Sequence, residues 1–297
     1  RLVPRRPSLV ASCEYYAAAC AREPQTAACM RRALASRVVT SLSRPSGRRE
    51  KRITARASES AMSTPTIPPM STLQAALFDL DGTMADSDPL HYLVFDELLR
   101  TTGVLPNGLT HEFFKKNIAG GANCDIFARL YPEKSVEEHE AMADEKEAAF
   151  RDILKRERLV RAKGLSELLR TFDQAGVKTI VVTNAPRANA EAMLSRLELR
   201  EYFGERLVIG TECERSKPNP DPYLEGLRRV GVNDPTTCVA FEDSPAGARS
   251  AVAAGIPTVG ITSSQAEETL RSVGCSLCVE DFSSEALFDA FGVLSKN

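Results

Sequence analysis

Short apolar runs, each ending in a polar side chain, are the feature that most constrains the fold. The first is Ala75–Leu80, which carries Asp79 near its end, and similar runs end at Thr183 and at Glu242 and Asp243. A continuous apolar run of this length is typical of a parallel strand buried on both faces. Helical patterns alternate with the runs. The sequence therefore predicts a doubly wound α/β sheet whose ligand site lies beyond the carboxyl ends of its strands.

The apolar runs predict six strands and the intervening periodicities predict four flanking helices. The strands are expected at residues 75–80, 177–183, 207–210, 238–241, 258–261 and 277–279. The helices are expected at residues 165–174, 187–197, 222–230 and 245–254. Polar residues at neighbouring strand ends should converge at one edge of this sheet.

More than 100 residues separate Asp79 from Thr183, far more than one crossover connection needs. The intervening pattern is helical, which predicts a small α-helical cap at residues 88–161 inserted after the first strand. Residues 71–87 and 162–297 then form the core. A long helix is expected at residues 135–159, and two sets of residues are expected to face inward. The sets are Leu90, Leu93, Val94 and Leu98 in the first helix, and Val136, Met142, Phe150, Ile153 and Leu154 in the long one.

Asp79 and Asp81 form a pair of carboxylates two residues apart, with Gly82 freeing the backbone just beyond them. One carboxylate can attack an electrophilic centre while the other donates and accepts a proton. A calcium loop of the EF-hand type also contains such a pair, but it needs Glu at its twelfth position. Leu90 occupies that position here, so the calcium hypothesis fails.

Three later segments carry residues suited to a phosphate group and a metal ion. Thr183 supplies a hydroxyl, and Asn184 leads into a helix N-terminus. Lys217 supplies a positive charge between a serine and a proline-rich turn. Glu242 and Asp243 offer the hard oxygen ligands that Mg²⁺ prefers. The sequence therefore predicts phosphate and magnesium binding at one edge of the sheet.

The order of these motifs resembles the haloacid dehalogenase superfamily, in its phosphatase-like branch with a helical cap after the first strand. The resemblance extends from about Leu73 to the C-terminus and is closest to plant sugar-phosphate and glycerol-3-phosphate phosphatases. The stretches that carry it are ADSDPLH, DEKEAAF, VTNAP, SKPNPDPYL and FEDSPAGARSAVAAG. It implies a Mg²⁺-dependent phosphatase that hydrolyses small phosphorylated metabolites through an aspartyl-phosphate.

The resemblance also implies a role for each matching residue. Asp79 is the nucleophile and Asp81 the general acid and base. Mg²⁺ is held by Asp79, the Asp81 carbonyl and Asp243, with Glu242 nearby. Thr183, Asn184 and Lys217 hold the phosphoryl group. In the cap, the candidate substrate contacts are His91, Asn123 and Lys146, while His111 and His139 are expected at the surface.

Three other functions remain open at this point. A β-phosphoglucomutase-like isomerase shares nearly every core motif, but such mutases grip a second phosphate with a cap arginine. The nearest candidate here is Arg129, expected deeper in its helix. A 2-haloacid dehalogenase lacks the second aspartate, which this chain has in Asp81. A non-catalytic protein of the same fold would tolerate loss of Asp79 or Lys217, and both are present.

Charge is unevenly distributed along the chain. Residues 1–70 carry 13 Lys and Arg against 4 Asp and Glu, so the remaining body has a net charge of −11. A basic, serine-rich leader is typical of an organelle transit peptide, with Met30 as a start and cleavage near Ala57. We therefore expect a chloroplast location, with the mitochondrion or the cytoplasm as alternatives. The cytoplasmic case would start the chain at Met62 or Met70 with a disordered tail.

The composition also limits the partners. An acidic body argues against nucleic acid, and no apolar run reaches the roughly 18 residues of a membrane span. The expected partner is a small phosphorylated metabolite, and a monomer is the default. Cys275 and Cys278 form a CxxC pair without a second pair at zinc spacing. A redox role for this pair, and a structural role as two small residues at a strand end, both remain open.

Overall fold

A single parallel sheet forms the centre of the computed structural model, which describes residues 66–293. In this part of the chain, six strands lie in the order β3-β2-β1-β4-β5-β6, and every neighbouring pair is parallel. The strands are β1 (Ala75–Phe78), β2 (Lys178–Thr183), β3 (Leu207–Ile209), β4 (Cys238–Glu242), β5 (Thr258–Ile261) and β6 (Leu277–Val279). The predicted doubly wound α/β fold is confirmed.

Helices alternate with the strands along the chain, and the last helix follows β6. They are α1 (Asp88–Thr101), α2 (His111–Asn117), α3 (Asn123–Leu130), α4 (Val136–Leu154), α5 (Leu165–Ala175), α6 (Arg187–Arg196), α7 (Arg200–Phe203), α8 (Asp221–Val230), α9 (Pro245–Ala253), α10 (Glu267–Ser272) and α11 (Glu285–Ala290). Short 3₁₀ turns precede α8 and β4, at Gly210–Glu212 and Pro235–Thr237. The order of strands in the sheet places β1 in the interior, between β2 and β4.

The apolar residues of β1 alternate between the two faces of the sheet. Ala76 and Phe78 contribute to one hydrophobic cluster, whereas Ala75 and Leu77 contribute to the other. Phe78 stacks on Phe241 of β4, with ring centroids 4.8 Å apart. Burial of both faces explains why the strand is continuously apolar rather than alternating. Because β1 is packed on both faces, the chain also leaves the sheet at Asp79 in a fixed direction.

Helices α1 to α4 form a helical insert between β1 and β2 with its own apolar cluster. The buried members of this cluster are Phe95, Leu99, Leu109, Phe114, Ile118, Ile126, Phe127 and Tyr131. The two connections to the sheet lie side by side, since Ala85 pairs with Arg161 and the Ala162 N–H donates to the Met84 carbonyl at 2.8 Å. The insert therefore begins and ends at one place, next to the end of β1.

Three details of the predicted helices are wrong. Leu93 is 43% exposed, because the inward face of α1 runs through Leu90 and Val94. Val136 is 66% exposed, since it is the first residue of α4 and lies in the outer turn. The helix also ends at Leu154 instead of residue 159. The backbone there turns, with the N–H groups of residues 156 and 157 donating to the Ile153 carbonyl.

The predicted leader, residues 1–70, lies outside the described residues except for its last five. Ile67 is 6% exposed and packs in the main hydrophobic cluster. The Met70 N–H donates to the Phe291 carbonyl at 2.8 Å. The packed chain therefore includes residues just before the boundary predicted at residue 71. Among residues 66–293, no helix is long and apolar enough to cross a membrane.

Candidate active site

The turn that follows β1 brings two aspartates to the carboxyl edge of the sheet. Asp79 is 7% exposed, and its backbone N–H still bonds to Phe241 of β4 at 3.0 Å. Gly82 then takes a left-handed backbone conformation with φ of +76°. A Cβ atom at Gly82 would collide with the carboxylate of Asp243. Glycine is required here for the backbone angle and for the close approach of Asp243.

Lys217 lies at the centre of the buried charges. Its Nζ donates to Asp79 Oδ1 at 2.7 Å, to Glu242 Oε1 at 2.6 Å and to the Val182 carbonyl at 2.7 Å. All three donor positions of the ammonium group are therefore used. Burial alone would lower the pKa of Lys217, but the charges of Asp79 and Glu242 raise it above its ordinary value. The lysine is consequently a fixed cation between two carboxylates.

The side-chain amide of Asn184 holds the backbone of Lys217. Its Nδ2 donates to the Lys217 carbonyl at 3.1 Å, and its Oδ1 accepts from the Lys217 N–H at 3.2 Å. The peptide bond from Lys217 to Pro218 is cis. Thr183 is buried, and its hydroxyl accepts from the Ala185 N–H at 3.0 Å. Asn184 thus holds the backbone of Lys217, whose Nζ contacts Asp79, and Thr183 directly precedes Asn184 at the end of β2.

Three buried carboxylates form a cluster that could hold a metal ion. Oxygen atoms of Asp79, Glu242 and Asp243 all lie within 4.8 Å of one another. Asp243 accepts from the hydroxyls of Thr83 at 3.1 Å and Ser264 at 2.7 Å.

Burial and the neighbouring Glu242 raise the pKa of Asp243 to about 7. Burial raises the pKa of Asp79 well above its usual value, against the lowering effect of Lys217. Negative charge is therefore crowded here beyond what one lysine offsets.

Tyr223 is a site residue that the sequence analysis missed. It is fully buried in α8, and its hydroxyl donates to Glu242 Oε1 at 2.7 Å. The same oxygen accepts from Lys217, so tyrosine and lysine together fix one side of Glu242. The sequence signal was present, since Tyr223 stands six residues after Lys217 in the motif SKPNPDPYL. A buried tyrosine needs a partner for its hydroxyl, but the sequence does not show which one.

Asp81 lies where the chain leaves β1 towards the helical insert, and its neighbours differ from those of Asp79. Its Oδ1 accepts from the Ser87 hydroxyl at 2.8 Å and lies 3.4 Å from His91 Nε2. Burial alone would raise its pKa, but the hydrogen bond and charge of His91 and the bond from Ser87 lower it. The His91 ring stacks on Phe150 of α4, with centroids 4.3 Å apart. His91, predicted as a substrate contact, thus lies next to the second aspartate.

Lys146 and Asn123 both donate hydrogen bonds to Glu147, a residue that the sequence analysis did not single out. Lys146 is 4% exposed, and its Nζ lies 3.1 Å from His91 Nδ1 and 3.0 Å from Glu147 Oε1. Asn123 donates to the same Glu147 oxygen. The other oxygen accepts from Asn189 of α6. Glu147 follows Lys146 directly, but in a charged helix its burial at 8% exposure could not be recognised from the sequence.

Four further residues complete the comparison with the sequence. His111 is exposed as expected. The expectation for His139 was wrong, because it is 6% exposed and its Nε2 lies 2.9 Å from the Tyr131 carbonyl. Arg129 donates to the Asn117 carbonyl at the end of α2. Burial raises the pKa of the Cys275 thiol to about 12, which favours the unreactive thiol form.

In this α/β fold a buried aspartate contacts a lysine, and a second aspartate follows two residues later. Such an arrangement suits catalysis by a nucleophilic carboxylate. This arrangement defines a class of hydrolytic and group-transfer enzymes. More particularly, the chain belongs to the haloacid dehalogenase-like hydrolases, whose family model matches residues 73–255. The predicted superfamily is confirmed.

Known relatives agree with this assignment. The chain is 32% identical over 197 residues to validoxylamine A 7′-phosphate phosphatase of Streptomyces hygroscopicus, covering 66% of this chain and 89% of the relative. It is 32% identical over 189 residues to fructose-1-phosphate phosphatase YqaB of Escherichia coli, covering 62% and 94%. A haloacid dehalogenase hydrolase of Entamoeba histolytica superposes with a TM-score of 0.66 at 26% identity, covering 74% and 100%. The predicted enzyme class, a phosphoric monoester hydrolase, agrees with the names of the two phosphatases.

Proposed function

We propose that the protein is a Mg²⁺-dependent phosphatase that hydrolyses small phosphorylated metabolites, namely sugar phosphates or glycerol-3-phosphate. The observation that carries the proposal is the contrast between two aspartates. Asp79 is enclosed by Lys217 and the carboxylate cluster, whereas Asp81 lies two residues away against Ser87 and His91. One carboxylate is placed to attack and the other to transfer protons. The names of relatives that act on fructose 1-phosphate and validoxylamine A 7′-phosphate support the substrate class.

The reaction follows from these positions in two steps. A carboxylate oxygen of Asp79 attacks phosphorus, the bond from phosphorus to the ester oxygen breaks, and Asp81 gives a proton to the departing alcohol. Water then attacks the aspartyl-phosphate and passes a proton to Asp81, which releases inorganic phosphate and restores the Asp79 carboxylate. Dividing one difficult step into two easier ones is the advantage of covalent catalysis.

Lys217, Thr183 and Asn184 are assigned to the phosphoryl group. Lys217 offsets its negative charge, and the hydroxyl of Thr183 and the backbone N–H of Asn184 supply donors at the same strand end. The side chain of Asn184 positions the lysine, since both of its polar atoms bond to the Lys217 backbone. Stabilisation of charge on the non-bridging oxygens is the main demand of phosphoryl transfer.

The carboxylate cluster fits a magnesium ion in its chemistry. Asp79, Glu242 and Asp243 supply buried hard oxygen donors within 4.8 Å of one another, and the absence of a side chain at Gly82 leaves room beside Asp243. Asp79, Asp243 and the Asp81 carbonyl would hold the ion, with Glu242 nearby. When bound, Mg²⁺ would supply positive charge against the phosphate oxygens.

The proposal is tested by phosphate release from a panel of esters, with and without Mg²⁺. The panel contains glycerol 3-phosphate, glucose 6-phosphate, 2-deoxyglucose 6-phosphate, fructose 1-phosphate, phosphoglycolate and β-glucose 1-phosphate. Mg²⁺-dependent release from the sugar or glycerol esters is the expected result. Conversion of β-glucose 1-phosphate to glucose 6-phosphate in the presence of a bisphosphate primer, without phosphate release, would instead establish a mutase and overturn the proposal.

Three properties remain proposals that rest on the sequence alone. We infer import into the chloroplast from the basic, serine-rich composition after Met30. Similarity to plant phosphatases rests on the motifs quoted above, and a monomeric state is the default expectation. Fusing residues 1–70 to a fluorescent protein tests the location, since a cytoplasmic signal would contradict the transit peptide.

A further inference from the structure

A buried polar cluster joins the helical insert to α6, and it is the part of the site with no assigned role. We name it the Glu147 cluster; its members are Glu147, Lys146, Asn123 and Asn189. Glu147 is 8% exposed and Asn189 is 2% exposed. One oxygen of Glu147 accepts from Lys146 and Asn123, and the other accepts from Asn189. A charged cluster buried this deeply is costly unless its groups pair, and here they do.

The Glu147 cluster lies one side chain away from the aspartate that transfers protons. Lys146 Nζ is 3.1 Å from His91 Nδ1, and His91 Nε2 is 3.4 Å from Asp81 Oδ1. In the proposed reaction the departing alcohol takes its proton from Asp81. The departing alcohol must therefore lie within reach of Asp81, and the Glu147 cluster lies on the His91 side of that aspartate.

The cation of the Glu147 cluster is already paired with a carboxylate. Lys146 pairs with Glu147 at 3.0 Å. Arg187 of α6 binds the Glu212 carboxylate through two hydrogen bonds of 2.9 and 2.6 Å, whereas Arg151 of α4 donates to the neutral amide of Asn189 at 2.5 Å. A second phosphate group would bring a charge of about −1.5 to −2 next to the Glu147 carboxylate. Like charges at short range in a buried site repel strongly, so such a substrate is disfavoured.

The cluster is suited to neutral hydroxyl groups instead. A carboxylate has about four acceptor positions, and Glu147 uses three of them within the protein. The fourth position, on the oxygen that accepts from Asn189, can accept from a substrate hydroxyl. A hydrogen bond to a charged group is worth about 1.5–3 kcal/mol, and binding sites of this kind discriminate against analogues that lack the hydroxyl.

We propose that Glu147 determines specificity, by accepting a hydrogen bond from a hydroxyl of the substrate alcohol and by neutralising Lys146. This inference rests on the proposed phosphatase function and deepens it. The substrate class is then a monophosphate ester of a polyol or sugar, and esters that carry a second phosphate are rejected.

The test compares Glu147→Gln with the wild type and with Glu145→Gln, an exposed glutamate on the same helix. The substrates are glycerol 3-phosphate, its hydroxyl-free analogue propyl phosphate, glucose 6-phosphate and fructose 1,6-bisphosphate. The wild type should prefer glycerol 3-phosphate to propyl phosphate by about tenfold or more in kcat/KM, the size of one charged hydrogen bond. Glu147→Gln should reduce that preference, and it should improve fructose 1,6-bisphosphate relative to glucose 6-phosphate by about tenfold, mainly through KM. Glu145→Gln should change neither ratio.

Glu147→Asp keeps the charge and serves if the glutamine variant fails to fold. It should preserve the discrimination against the bisphosphate while weakening the preference for glycerol 3-phosphate. A uniform loss of kcat/KM on all four esters would overturn the inference, because it would mean that Glu147 only joins the insert to α6. If the wild type releases no phosphate from any ester, the proposed function itself fails. If the Glu147→Gln enzyme is active and both substrate preferences equal those of the wild type, the inference about Glu147 fails while the proposed function stands.

Discussion

At the scale of single residues, Asp79 and Lys217 are the pair on which the proposed reaction depends. We expect Asp79→Asn to reduce turnover by at least about 1,000-fold, because the amide keeps the shape but lacks the negative charge that makes a carboxylate oxygen nucleophilic. The fold should survive, since Lys217 retains Glu242 and the Val182 carbonyl as partners. The measurement is phosphate release together with a melting curve. Substantial turnover in a clean preparation would contradict the assigned nucleophile.

Gly82 offers a second test at this scale, because it combines a left-handed backbone with a close neighbour. We expect Gly82→Ala to destabilise the protein by about 1–3 kcal/mol and to impair activity. Its new Cβ would meet the Asp243 carboxylate, whereas Gly103 has the same φ of +76° and nothing within 4 Å. Gly103→Ala is thus the matched control, carrying only the backbone strain. Equal losses in urea unfolding and activity for both variants would show that the contact with Asp243 is unimportant.

At the scale of elements, the strands were predictable and the details of the insert were not. Strands such as β1 and β4 are buried on both faces, so their continuous apolar runs identify them directly. The helices of the insert pack on several neighbours, as α4 does on α1 and α6, and their inward faces depend on this packing. Leu93 and Val136 illustrate this, because their helical spacing suggested burial while both are exposed. Periodicity finds a helix reliably but not the exact width of its buried face.

Helix α4 carries Lys146 and Glu147, and its start is defined by a capping box. The Ser135 hydroxyl accepts from the Glu138 N–H, and the Glu138 carboxylate accepts from the Ser135 N–H. We expect Ser135→Ala to lower the free energy of unfolding by about 1 kcal/mol, since one backbone donor loses its partner. Urea unfolding measures this effect, and Ser135→Asp, which can still cap, should restore most of it. An unchanged midpoint for the alanine variant would mean that the cap contributes nothing to stability.

At the scale of the whole molecule, the site unites residues that are far apart in the sequence. The positions of Asp79 and Asp243 could be predicted, because the carboxyl ends of parallel strands meet at one edge of the sheet. Lys217 lies in the loop beyond β3, and only its motif indicated that it belongs to the site. The contact between Glu147 and Asn189 could not, since it joins the insert to α6 across 42 residues. Nor could the hydrogen bond from Tyr223 to Glu242, because burial of a tyrosine does not name its partner. Sequence patterns locate strand ends, but packing decides which side chains meet beyond them.

The stability of the whole fold should depend on magnesium. Three carboxylates share one small buried volume, and Lys217 forms ion pairs with two of them, Asp79 and Glu242. An ion that binds only the folded state stabilises it by about 2.7 kcal/mol at 100 times its Kd, which corresponds to a rise in Tm of roughly 5–10 °C for a protein of this size. We expect that rise with MgCl₂ but not with NaCl at equal ionic strength.

Asp243→Asn provides the decisive comparison for this magnesium effect. The amide can keep its bonds to Thr83 and Ser264, because the carbonyl oxygen accepts from one hydroxyl and the other hydroxyl reverses to accept from the amide nitrogen. Removing one negative charge relieves the repulsion among the carboxylates, so the variant without metal should melt no lower than the wild type. It should also lose most of the rise in Tm caused by MgCl₂. A rise as large as that of the wild type would place the ion outside the carboxylate cluster, and equal effects of MgCl₂ and NaCl on the wild type would reduce the effect to ionic screening.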